Sequence, residues 1–204
     1  MPDNTIRSRG YLPHWESTNG IYFVTFRLAD SMPQQVLRQL RQDALGKVRE
    51  TKKLSEKLES YLDGGVGSCC LKESGVAEIV ANCLAQFDGA RYNLLAWCIT
   101  PNHVHVVFQV RDGNSLRTVV HSWKSYTSLQ INRHLSRRGT LWQREYYDHL
   151  LRGANQLRRA IRYTAENAQR AGLNNWQHIY VSAQASGGPA KTNVLVHREA
   201  KTKL

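Results

Sequence analysis

Apolar positions along this chain repeat with two periods. Ile21 to Leu28 (IYFVTFRL) is β-branched and aromatic, and it is bounded by Gly20 and the Asp30-Ser31-Met32-Pro33 turn, so it predicts a strand. Tyr92 to Ile99 predicts a second strand after the Asp88-Gly89 turn, and Leu141 to Leu151 reads as a mixed strand. His103 to Val110 (HVHVVFQV), entered through a Thr100-Pro101-Asn102 corner, alternates cleanly. One face carries Val104, Val106, Phe108 and Val110; the other carries His103, His105, Val107 and Gln109. Helical spacing appears over residues 34 to 62, where Val36, Leu37, Leu40, Leu45, Val48, Leu54, Leu58 and Leu62 predict one or two amphipathic helices closed by Gly64 to Gly67. Further helices are predicted over Val76 to Phe87, from a Ser115 N-cap to about Leu135, and over Asn155 to Ala171, stopped by Gly172.

The order strand, helices, strand, strand, helix, strand, helix predicts an α+β fold close to a ferredoxin-like βαββαβ antiparallel sheet flanked by helices. Residues 1–173 read as one domain with a helical insertion at about 34–63, and 174–204 as a basic, largely flexible tail.

Charge adds a partner to this picture. The chain carries 28 Lys and Arg against 16 Asp and Glu, a formal charge of +12. The excess is local: residues 111–173 hold 12 bases and 4 acids, while residues 1–110 hold 12 and 11. In the basic segment Arg outnumbers Lys 11 to 1, which favours phosphate recognition over a merely solvated face. No run of about 18 apolar residues is present and the N-terminus lacks an apolar signal core, so a cytoplasmic protein with no membrane partner is expected. Cys69, Cys70, Cys83 and Cys98 have no CxxC spacing, which argues against a zinc finger or a disulfide scaffold.

Three clusters can carry chemistry. His103 and His105, two apart on one strand, project both imidazoles from one face at a spacing suited to chelating a metal ion, though such a pair on a strand is also commonly structural. On the last helix Tyr163 and Asn167 are four apart and so share a face, at the edge of the stripe formed by Leu157, Ala160, Ile161, Thr164, Ala168 and Ala171. A boundary Tyr and a tolerated Asn would look the same, but Arg159, Arg162 and Arg170 around them can gather a phosphate backbone. Trp123, Lys124, Tyr126, Trp142, Tyr146 and Tyr147 mix aromatic and cationic groups in the way that serves unpaired bases, and part of this set would equally serve as core.

Through RGYLPHWE, IYFVTFRLADSMP, YLDGGVGSCCL, FDGARYNLLAWCITPNHVHVVF, HSWKSYTSLQINR, GTLWQREYYDHLLR and RYTAENAQRAGL, from about Arg9 to Leu173, the chain resembles the REP-associated tyrosine transposases. These are a branch of the IS200-like, single-tyrosine HUH transposases that act on single-stranded DNA. The resemblance implies that Tyr163 is the nucleophile and that His103, His105 and Asn167 hold a divalent metal, for whose mixed nitrogen and oxygen ligation Mn²⁺ or Mg²⁺ is suited. It further implies attack giving a 5′-phosphotyrosine and a free 3′-OH, with single-stranded DNA hairpins, the repetitive extragenic palindromes, as partners. Arg117, Lys124, Arg144, Arg152, Arg159, Arg162 and Arg170, with Trp123 and Trp142, are then the expected DNA contacts of a bacterial, nucleoid-associated monomer or homodimer. Two departures stand out: Thr100 replaces a usual Met before PNHVH, and Ala168-Gln169 replace a usual Pro-Val. A relaxase or replication initiator, and a non-catalytic hairpin-binding descendant of a transposase, are the alternative readings.

Overall fold

The computed structural model describes residues 4–8, 13–32, 64–186 and 191–192, so the predicted helices over 34–62 lie outside the described residues. Strands β1 (Asn4–Ser8) and β2 (Pro13–Ser17) form a two-stranded antiparallel sheet. The main sheet begins with β3 (Ile21–Arg27), followed after a short 3-10 turn by α1 (Ser74–Ala85), then β4 (Tyr92–Ile99), β5 (His103–Val110), α2 (Leu116–His134), β6 (Tyr147–Leu150) and α3 (Ala154–Arg170). A last strand pair, β7 (Ile179–Val181) and β8 (Lys191–Thr192), is separated by the single turn α4 (Ala183–Ser186).

The spatial order is β6-β3-β5-β4-β7-β8, with every neighbouring pair antiparallel. Taking β3, β4, β5 and β6 as the strands of a βαββαβ unit, they lie in the order fourth, first, third, second, so the fold is α+β and ferredoxin-like. Alternation along β5 sends Val104, Val106, Phe108 and Val110 into a core shared with α1 and α2, as expected. β4 keeps Tyr92, Leu94, Trp97 and Ile99 in that core because a bulge between Leu94 and Ala96 resets its parity. The opposite face packs Phe23, Ala96 and Val107 against Leu157, Ala160 and Ile161 of α3. Both sheet faces are therefore covered.

Local chemistry explains the helix limits. Ser115 and Thr118 form a reciprocal capping box at the start of α2. Beyond α3, Gly172 takes φ 72°, the left-handed conformation that lets the Leu173 amide turn back and donate to the Ala168 carbonyl at 2.9 Å.

Three expectations change. The strand predicted over Leu141 to Leu151 is regular only over Tyr147–Leu150, with a single bridge from Trp142 to Leu28 before it. The carbonyls of Gln143 and Arg144 accept from the Lys124 ammonium at 2.7 and 2.8 Å, which draws this segment toward α2 and out of the ladder. The segment read as a tail from 174 onward instead supplies β7, which extends the sheet beyond β4; the β-branched and aromatic Ile-Tyr-Val run is short enough to be lost in its polar surroundings. Trp123 and Trp142, expected on a base-contacting surface, are 1% and 4% exposed. Their indole N–H groups donate to Tyr92 Oη and Thr127 Oγ1, both at 2.9 Å, so each is a core side chain with a satisfied polar end. No helix among the described residues is long and apolar enough to cross a membrane.

Trp123→Ala is expected to cost about 3–5 kcal/mol of folding stability, read by urea denaturation. A loss under 1 kcal/mol would mean that this indole is not buried as the structure has it.

Candidate functional site

β3 and β5 pair with Thr25 opposite His105 and Arg27 opposite His103. On the face turned away from α1 and α2, Phe23, Thr25 and Arg27 therefore lie beside His103, His105 and Val107. α3 crosses this patch and brings down Tyr163 and Asn167, one turn apart. His103, His105 and Asn167 are each no more than 1% exposed, while Tyr163 is half-buried.

The Nε2 atoms of His103 and His105 face each other at 3.0 Å. Their other ring nitrogens are held from behind. Thr25 Oγ1 lies 2.7 Å from His105 Nδ1, and both Thr100 Oγ1 and Asn102 Oδ1 lie 2.8 Å from His103 Nδ1. The Thr100 hydroxyl donates to the His103 carbonyl at 2.9 Å, so its oxygen accepts from Nδ1, as the Asn102 oxygen must. Nδ1 of His103 thus carries the proton, and Nε2 carries the lone pair turned toward His105.

Burial holds the pKa of His103 down at about 3; the Asn167 amide opposes this shift and the Arg27 charge adds to it. Burial, and then the neighbouring His103, likewise hold His105 well below the ordinary imidazole range. Both rings are neutral at physiological pH, the state in which imidazole ligates metals.

Asn167 Nδ2 donates to Tyr163 Oη at 3.3 Å, while its Oδ1 is buried and accepts no hydrogen bond among the described residues. Leaving such an acceptor dry costs about 1–3 kcal/mol. Two imidazole nitrogens and this amide oxygen are a donor set that fits a divalent cation. No group of three or more His, Cys, Asp and Glu with metal-binding geometry occurs among the described residues.

The Tyr163 ring meets His105 and Phe23 edge-on, at centroid distances of 5.4 and 5.7 Å. The Arg170 guanidinium sits 5.3 Å over that ring while pairing with Glu166 at 3.1 Å. Arg158, Arg159 and Arg162 line an open cavity of about 540 Å³ on the same helix. The site thus places a phenol beside two neutral imidazoles and an amide oxygen, on a helix that also carries several arginines.

The structure divides the other expected DNA contacts. Arg159, Arg162 and Arg170 stand on α3 with Tyr163; Arg117 and Arg144 are exposed on the α2 side of the sheet; Arg152 stacks over Trp15 at 5.0 Å. Lys124 departs from expectation, since its ammonium serves the two carbonyls described above, and burial lowers its pKa to about 8. Thr25, Arg27, Thr100 and Asn102 were not singled out among the site residues. Their signal lay in the alternation of IYFVTFRL and in the corner before His103, but the pairing of β3 with β5 that gives it meaning is not local in sequence.

Residues 71–167 match a family model described as IS200-like transposase. A solved structure of a REP-associated tyrosine transposase bound to a REP hairpin is 14% identical, with a TM-score of 0.48, over 82% of this chain and 74% of that one. A crystal structure of a putative transposase from Deinococcus radiodurans R1 is 17% identical, with a TM-score of 0.38, over 79% and 95%. No curated protein matches this chain.

In metal-free protein His103 is expected to stay neutral and protonated on Nδ1 through pH 5. Because the unfolded imidazole titrates near 6.5 and the folded one near 3, its contribution to stability is whole above pH 6.5 and is lost as pH falls toward 3. Long-range proton–nitrogen NMR correlations of the rings check this, and an imidazolium signature for His103 at pH 6 would overturn it.

Proposed function

We propose that this chain, whose residues 71–167 match the IS200-like transposase family model, cuts and rejoins single-stranded DNA hairpins through Tyr163, helped by a divalent cation held between His103, His105 and Asn167. The observation that carries this reading is the Asn167 side chain. Its amide donates to Tyr163 Oη at 3.3 Å, and its carbonyl oxygen is buried with no donor among the described residues. One residue thus couples the nucleophile to the cation position.

Mn²⁺ or Mg²⁺ at this site would polarise a non-bridging phosphate oxygen and offset charge developing at phosphorus. The chain's own groups do the rest. A free Tyr hydroxyl has a pKa of about 10 and is a weak nucleophile at neutral pH. The Asn167 N–H points at Tyr163 Oη, where negative charge gathers as the proton leaves for solvent. Phe23 and His105 brace the ring edge-on, so that the half-buried phenol is presented in one orientation. Attack of Oη on phosphorus breaks the bond to the 3′ oxygen and leaves a 5′-phosphotyrosine and a 3′-OH. Return of a 3′-OH to the same phosphorus breaks the phosphotyrosine bond and reseals DNA without ATP. Arg158, Arg159 and Arg162 flank this position on α3 and would hold the adjoining phosphates.

The direct test incubates the protein with labelled hairpin oligonucleotides in Mn²⁺ or in EDTA, followed by denaturing electrophoresis. A covalent protein–DNA band that requires metal and is lost in Tyr163→Phe, with hairpin affinity kept within about twofold, is expected. Hairpin binding with no adduct from any sequence would instead favour the non-catalytic binding protein. Thr100→Val, which removes one of the two acceptors behind His103 at nearly constant volume, should weaken Mn²⁺ binding roughly 10-fold, read by electron paramagnetic resonance of free Mn²⁺. Thr100→Ser should restore it; equal affinity for all three proteins would show that this hydroxyl does not orient the ring.

A further inference from the structure

A second built cavity lies on the other side of the sheet from Tyr163. Asp148 pairs in register with Val24, whose side chain belongs to the α1/α2 core, and Val120 of α2 lines the cavity. It holds about 340 Å³ and is formed where β2, α2 and the segment before β6 meet. At its base His14 is held between two carboxylates: Nδ1 is hydrogen-bonded to Asp148, and Nε2 lies 3.7 Å from Glu145 Oε2. The His14 ring lies against Tyr146, tilted by 33° with ring centroids 4.6 Å apart, so two aromatic rings line the cavity. Lys124, tethered to the Gln143 and Arg144 carbonyls and 5.7 Å over the Tyr146 ring, fixes this segment in place. Arg117 and Arg144 are exposed at the rim.

Within this arrangement Glu145 Oε2 is buried and accepts no hydrogen bond among the described residues. A buried carboxylate oxygen calls for an N–H donor. A bare anion would suit Arg117 and Arg144 but would be repelled by Glu145 and by Glu16, which also lines the cavity. A bare cation would suit the acids but not the arginines. An unpaired nucleotide satisfies all three features, with its phosphate at the arginine rim, its base on the aromatic surface and a base N–H toward Glu145.

Resting on the reading of single-stranded DNA as the substrate, we propose that this cavity takes one unpaired base of the bound strand and that Glu145 selects bases bearing an exocyclic amino group over thymine. Adenine, cytosine and guanine each offer an amino donor to the carboxylate. Thymine offers a single N–H flanked by two carbonyl oxygens, which face the carboxylate unfavourably.

The test uses the full chain in EDTA, where no cleavage intervenes, and hairpin oligonucleotides with single-stranded tails of dA, dC or dT, measured by fluorescence anisotropy. The dT tail should bind about tenfold more weakly than dA or dC. Glu145→Gln, whose amide can both donate and accept, should bring the three within about twofold. Equal binding of all tails by the unaltered protein, or a preference that survives Glu145→Gln, would overturn the proposal. Where the variant fails to fold, photocrosslinking of a 5-iodocytosine tail to the unaltered protein decides: adducts at His14 or Tyr146 support the pocket, and adducts confined to α3 overturn it. Displacement of the tail by micromolar dAMP would assign the cavity to a free nucleotide and overturn its role toward a strand. A Tyr163 adduct without tail preference overturns this inference alone, whereas tail preference without an adduct overturns the cleavage reading and leaves the pocket standing.

Discussion

The period-two alternation of β5, enforced by pairing along both edges, is the constraint on which the rest depends. β3 and β4 hold β5 in register from end to end, so Val104, Val106 and Phe108 enter the α1/α2 core only if His103 and His105 face the other way. A slip of one residue would put two imidazoles into that core and three apolar side chains under α3. The apolar face therefore holds the polar face in position. Because α3 then covers the polar face, the histidines are buried, and burial keeps them neutral with a lone pair on Nε2 of His103.

The approach of α3 completes the site through small side chains. Ala160, Thr164 and Ala168 let the helix sit close to the sheet, and Thr164 turns its hydroxyl back onto the Ala160 carbonyl at 2.9 Å instead of demanding a partner across the interface. Asn167 is thereby driven to 1% exposure, deeper than its position at the edge of the apolar stripe implied. Its amide is uncharged, as are both imidazoles. A divalent cation held by three neutral donors keeps its full charge, and in the proposed reading the phosphodiester of the substrate meets that charge. A carboxylate in place of Asn167 would offset part of that charge.

Much of this was legible from period and punctuation. β4, β5, α2 and α3 were readable because each is long, strongly patterned and closed by Gly, Pro or a Ser cap. The His pair and the Tyr-Asn pair were each visible as neighbours on one element, since spacing of two on a strand and four on a helix is local information. What brought the two pairs together was not local: it required α3 to pack on the sheet face opposite α1 and α2. The same limit hid Thr25 and Arg27, which depend on antiparallel pairing with β5 across about 80 residues of chain. It also misassigned Trp123, Trp142 and Lys124. Aromatic and cationic residues that would serve DNA are equally the ones that close a core or tether a loop, and only burial and hydrogen bonding separate these uses.

β6 ties the two faces together. Tyr147 and Asp148 are adjacent, so the pleat sends them to opposite sides. Tyr147 packs edge-on against Phe23 beneath the Tyr163 site, with ring centroids 6.4 Å apart, and Asp148 holds His14 in the second cavity. β6 is also the edge strand of the main sheet, with β3 as its partner there. Tyr147 and Asp148 are fixed to one backbone, so the pleat sets how these two supports stand relative to each other. In the proposed reading, the place of cleavage follows from where the base is held relative to Tyr163.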